Sequence, residues 1–168
     1  MSAETITTAL FLITAVVASA VLINAVYPVI AGMAGTFSTS THESDVRIRT
    51  DFTIIATYAS VSSGTAQIWM KNIGTEQISI RDIQRADLFG GATGNFNHLS
   101  HTSGLLGDNQ WIETFTSPEY DLNGNQYWDS GETVKVSFKT SIPSAGNNMY
   151  FQFALPNGIW RSTEFTVS

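Results

Sequence analysis

The chain contains no cysteine, which removes a disulfide framework, a thiolate metal site and a cysteine nucleophile together. Positive charge is scarce. Eight Lys and Arg stand against fourteen Asp and Glu, a net charge of −6, and the pI is near 4.8. A basic face for nucleic acid or anionic lipid is therefore not expected. Neither Lys nor Arg occurs between Arg85 and Lys135, where Asp87, Asp108, Glu113, Glu119, Asp121, Asp129 and Glu132 all fall, so that lobe should attract cations. No N-x-S/T sequon is present, which excludes N-glycosylation at that signal. A G-x-S-x-G nucleophile elbow is missing too, and the chain is expected not to be an enzyme.

The most consequential absence is that of any charge from Thr5 to Thr41. At 1.5 Å per residue, Thr5–Tyr27 alone makes a helix of roughly 34 Å, enough to cross a hydrocarbon core of about 30 Å. The run is too long, and too poor in preceding basic residues, for an ordinary signal peptide. It predicts a chain tethered to a membrane or to copies of itself. Within it Ala15, Ser19, Ala31 and Gly35 are small and Asn24 is polar, the pattern that lets helices approach closely and hydrogen-bond across the contact. Pro28 should kink the helix. Arg47 and Arg49 come after the run, so the positive-inside rule taken alone would place the remainder of the chain inside the cell.

Three segments are expected: a hydrophobic helix over 1–37, a hinge over 38–44 and a β domain over 45–168. From Asp45 the apolar period becomes two, with Val46, Ile48, Phe52, Ile54 and Tyr58 alternating with polar residues. Ala66–Met70, Ile78–Ile83, Arg85–Phe89, Trp111–Phe115, Thr133–Thr140, Met149–Leu155 and Trp160–Val167 are read as further strands, and Gly90–Gly107 as a long loop. Seven or more short strands with closely spaced turns indicate an Ig-like antiparallel all-β sandwich. The four tryptophans sit at strand positions and are assigned to its core.

A long apolar helix followed by an all-β head resembles the archaellin superfamily, archaeal filament proteins related to type IV pilins. Within it the chain is most similar to the accessory archaellum proteins F and G. The residues that carry this are ALFLITAVVASAVLINAVYPVIAGMAG, RIRTDFTII, WMKNIGT, SGETVKVSF and FALPNG. The resemblance implies a sandwich outside the cytoplasmic membrane, a single N-terminal anchor, self-association, and attachment of the motility machinery to envelope (S-layer) proteins. Main archaellins are implied instead to polymerise through their helices into an extracellular filament. The start MSAETITT lacks the basic leader and glycine-rich opening of a typical archaellin, which favours the accessory protein. The filament subunit, and a membrane-tethered calcium-dependent binding module, are the alternatives.

One local motif suggests a ligand. Asp121, Asn123, Asn125, Asp129 and Glu132 occupy positions one, three, five, nine and twelve of a calcium-type loop, where alternate side chains can turn hard oxygens inward for Ca²⁺. Position six is Gln126 rather than glycine, and strands flank the loop; an Asx-rich turn capping its own backbone is the competing reading. His98 and His101, spaced H-x-x-H, lack the helical frame of a zinc site and are expected to be loop histidines.

Overall fold

The computed structural model describes residues 2–116 and 119–168, the Ser38 side chain excepted. The chain forms two compact units, Met1–Ser44 and Asp45–Ser168. The first is occupied by α1, Ala3–Arg49, whose last residues belong to the second unit. The helix continues through Pro28, which deprives the Asn24 carbonyl of its i+4 donor without ending the element. Every described residue of α1 up to Ser44 is exposed, and the apolar ones lie all round it rather than on one stripe. Thr7, Thr8, Thr14 and Ser19 turn their hydroxyls onto the preceding turn, which satisfies them without an outside partner.

Residues 38–44, expected as a hinge, and 45–49, expected as the start of a strand, are helical. The physical reasons are local. Thr39 and Thr41 hydrogen-bond the carbonyls of Gly35 and Phe37, no Pro or Gly intervenes, and Asp45 pairs with Arg49 four residues on. Arg47 and Arg49 also sit in the last turn, where the helix dipole favours cations. The alternation of Val46 and Ile48 with arginines carried no burial signal, since Ile48 is among the most exposed apolar residues.

The strands of the second unit are β1 Phe52–Ser60, β2 Thr65–Asn72, β3 Ile78–Ser79, β4 Asp87–Ala92, β5 Asn95–His101, β6 Gln110–Thr114, β7 Tyr127–Trp128, β8 Thr133–Lys139, β9 Asn148–Ala154 and β10 Trp160–Thr166. Between β3 and β4 lies a short helix, α2, Ile80–Gln84. Eight strands hydrogen-bond in the order β1-β2-β8-β6-β5-β4-β9-β10, while β3 and β7 form a separate pair. All pairings are antiparallel except β5–β6, which touches at only two positions. That weak corner divides the sheet into two four-stranded halves that fold over each other. Rings from opposite halves meet in the middle. Phe138 of β8 stacks on Phe151 of β9 with centroids 5.7 Å apart, and Phe153 of β9 meets Phe52 of β1 and Trp111 of β6 edge-on. The domain is the expected antiparallel sandwich, partly closed like a barrel where the Ser168 N–H donates to Ala59 at the β1–β10 seam. Gly90 permits this packing, because a Cβ there would stand 2.7 Å from the Phe138 ring.

Two further expectations fail on secondary structure. The strand over Ile78–Ile83 shortens to two residues because Ser79 caps α2, accepting from the Asp82 N–H while donating to the Asp82 carboxylate. The loop over Gly90–Gly107 contains β5, whose outward positions are Phe96, His98 and Ser100 and whose buried anchor is Leu99.

Candidate interaction surfaces and the acidic loop

The five residues expected at helix contacts, Ala15, Ser19, Asn24, Ala31 and Gly35, are all exposed along α1. Ser19 already bonds the Ala15 carbonyl at 2.8 Å, and nothing stands within 4 Å of a Cβ built on Gly35. At about 100° per residue, Ala15 and Ser19 share one side, while Asn24, Ala31 and Gly35 cluster about 160–200° away from Ala15. They form two patches rather than one stripe. Such a helix is suited to neighbours on more than one side. The amide of Asn24 lies in the second patch, one turn before Pro28, which makes it the most polar point of the apolar run.

The end of α1 is gripped within the second unit. Thr50 returns both its N–H and its hydroxyl to the Val46 carbonyl. The Arg49 carbonyl accepts from Thr75 and Glu76, and the Asp51 carbonyl from Ile73 and Gly74. A Cβ on Gly74 would fall 2.3 Å from the Arg49 oxygen, so this approach of two backbones requires glycine. Asn72, fully buried, organises the turn: its amide donates to the carbonyls of Glu76 and Trp128, and its oxygen accepts from the Gly74 N–H. Its backbone joins Gly131 and Glu132 as well, so one side chain and its peptide tie the helix end to the acidic loop. Asn72-Ile-Gly-Thr has the composition of a turn; the hub at Asn72 has no signature in the sequence beyond that.

In the acidic loop, Asp121 and Glu132 are buried and spend both carboxylate oxygens on backbone donors: Gly124 and Gln126 for Asp121, Leu122 and Asp129 for Glu132. Asn123 and Asn125 both donate to one oxygen of Asp129, at 2.6 and 2.9 Å. Their own side-chain oxygens accept from the Asn125 and Tyr127 N–H groups. Gln126 takes a left-handed φ of 64°, the conformation that a glycine at that position would adopt without strain. The five residues therefore come together, bound mainly to the loop's own backbone. Among the described residues no group of three His, Asp or Glu side chains is arranged to hold a metal. The remaining oxygen of Asp129 is buried without a hydrogen-bond partner.

His98 and His101 lie three apart on a strand and so face opposite ways. His98 meets Asp87 outside at 2.9 Å, whereas His101 meets Glu113 near the core, with Gln84 donating to the other Glu113 oxygen.

A long apolar helix exposed all round, followed by a self-contained sandwich, defines the architecture of the chain. A family model for archaeal-type flagellins matches residues 2–165. The chain belongs to the archaeal-type flagellin family and is an archaellum-related structural protein. An uncharacterized protein of Archaeoglobus fulgidus is 25% identical over 174 aligned residues, covering 99% of both chains. Among solved structures, the archaellum periplasmic stator protein FlaG from Sulfolobus acidocaldarius shares the fold at 23% identity, over 69% of this chain and 99% of its own, with a TM-score of 0.54. A chain of the archaeal flagellum of Methanospirillum hungatei aligns over 97% of this chain and 93% of its own, at 20% identity and a TM-score of 0.62. The 97% coverage has to include most of α1, so the likeness to the flagellum extends beyond the sandwich.

Proposed function

We propose that the chain is a non-enzymatic archaellum component that inserts α1 into the cytoplasmic membrane, carries its sandwich on the outer side, and holds the filament or motor to the cell envelope. The observation that supports this most is α1 itself: an 18-residue window of mean hydropathy 2.5 with none of it buried by its own chain. Such a surface needs lipid or other helices to cover it. Self-association through the helix, the sandwich or both belongs to the same reading.

The filament subunit is the second reading, favoured by the two patches on α1 and by the flagellum likeness over almost the whole chain. Fractionating cells that make the protein separates the two. Recovery in membranes, at few copies per filament and with α1 intact by mass spectrometry, supports the accessory role. Recovery along the length of sheared filaments supports the subunit. Absence from both fractions would contradict the archaellum reading in either form.

Calcium in the Asp121–Glu132 loop stands as a separate proposal, supported by the unpartnered Asp129 oxygen. A cation drawing on Asp121 and Glu132 has to displace four backbone donors, so binding would be weak, around millimolar as in extracellular modules. A melt that does not move at ten times that calcium concentration would leave the loop as a self-capped turn.

A further inference from the structure

The two outer faces of the sandwich carry opposite charge. On the half formed by β1, β2, β8 and β6, alternation turns Lys71, Lys135 and Lys139 outward, and these are the only lysines in the chain. Their inward neighbours Met70, Val134, Val136 and Phe138 are buried, which fixes the assignment of faces. No outward position on these four strands is acidic; Asp108, from the loop before β6, reaches Lys139 at 2.8 Å. Lys71 and Lys135 form no ion pair among the described residues, although Lys135 lies over the Tyr120 ring. Trp69 stands between them, opposite Lys135 in the register.

The half formed by β5, β4, β9 and β10 reverses this. Its outward positions hold Asp87, which meets the outward His98 at 2.9 Å, and Glu164, and no Lys or Arg; Arg161 of β10 takes an inward register position over Phe52 at the open edge, where it is exposed and pairs with Asp51. An aromatic cluster accompanies the acids: Phe96 packs on Tyr150 at 4.7 Å and edge-on to Phe89 at 6.4 Å. Gly91, between Phe96 and Tyr150 in the register, keeps that strip flat. A basic face with an aromatic centre and an acidic face with an aromatic centre thus stand on opposite sides of one domain.

We propose that the acidic aromatic face of one copy docks on the lysine face of a second copy. Because the two faces differ, the contact is head-to-tail and leaves a free face at each end, so it propagates into rows or closes into rings. A face of four short strands is small beside a standard interface, and the contact alone would be weak. Tethering by α1 supplies the high local concentration that makes a weak contact effective. The inference rests on the reading that copies self-associate, and adds which surfaces of the head they use.

The test uses the full-length chain in detergent micelles at low salt. Unlabelled and ¹⁵N-labelled copies are mixed and treated with a carbodiimide, which joins amines to carboxylates only where they already touch. Mixed-isotope peptides linking Lys71 or Lys135 to Asp87 or Glu164 are expected, and their yield should fall as salt shortens the Debye length from about 10 Å at 0.1 M to about 3 Å at 1 M. Reversing one face, by Lys71→Glu with Lys135→Glu or by Asp87→Lys with Glu164→Lys, opposes like charges and should lower link yield and association about tenfold or more. Reversing both faces in one chain should restore association, as should mixing the two single-face variants. Folding defects would not be repaired that way. Copies that stay associated with no such links, or that ignore the reversals, would overturn the face pairing while leaving association through α1 in place. Wild-type copies that do not associate at all would overturn the self-association reading beneath it.

Discussion

The same residue types meet opposite fates in the two units. Phe52, Ile68 and Phe138 in the sandwich are completely buried, whereas Phe11, Ile23 and Phe37 on α1 are 64–72% exposed. The sandwich hides its apolar surface against itself, one half of the sheet covering the other. A lone helix with apolar side chains on every side has no such option. The difference locates the self-sufficient part of the molecule in the head, and assigns to α1 the demand for lipid or for other helices.

Breaking the head's self-sufficiency should give the largest effect. Trp128 is fully buried, packs on Phe52, and donates its indole N–H to the Glu132 carbonyl at 2.8 Å. Trp128→Ala should cost about 3–5 kcal/mol, read as a large drop in the melting temperature of the head. On the other side of the comparison, Leu22→Arg places a charge in the middle of the apolar run. It should weaken insertion by roughly 2.5–3.5 kcal/mol, shifting protein out of the membrane or filament fraction while the melt of the head stays put. A parallel loss of head stability would break the separation drawn here.

The boundary between these two behaviours was the least legible part of the sequence. The strands β2, β8 and β9 could be read directly because buried residues alternate over seven or more positions, and α1 because its apolar run is long and uninterrupted by charge. Residues 45–49 alternate in polarity as a strand would, yet Asp45–Arg49 pairing and the threonine back-bonds hold them in the helix. β5 escaped notice because glycines precede it and its outward positions are polar or aromatic, leaving Leu99 as its one buried residue. For the acidic loop, residue types and spacing were visible but not the destination of each oxygen. Whether a carboxylate faces a cation or an N–H depends on turns such as that at Gln126, whose left-handed φ nothing in its identity announces.

Smaller effects sharpen the boundary. Gly74→Ala pushes a Cβ against the Arg49 carbonyl and the Asp51 N–H. The turn must shift, at about 1–3 kcal/mol, and amide exchange should accelerate first at Ile73, Gly74, Thr75 and Glu76, whose hydrogen bonds hold the end of α1. Asn24→Leu removes the one amide in the apolar run. If it bonds a neighbouring helix, self-association in detergent should weaken by roughly 0.6–2 kcal/mol, with insertion intact. An unaltered distribution of oligomers would make α1 a plain anchor.

The most direct measurement compares the head alone with the full chain. Residues 38–168, prepared in plain buffer, should be soluble, show a β-type circular dichroism spectrum and melt in one cooperative transition close to that of the full chain in detergent. The full chain, transferred to plain buffer, should aggregate or leave solution. A shortened chain that fails to melt cooperatively, or a full chain that stays monomeric without detergent, would contradict the claim that the head is complete in itself and α1 is not.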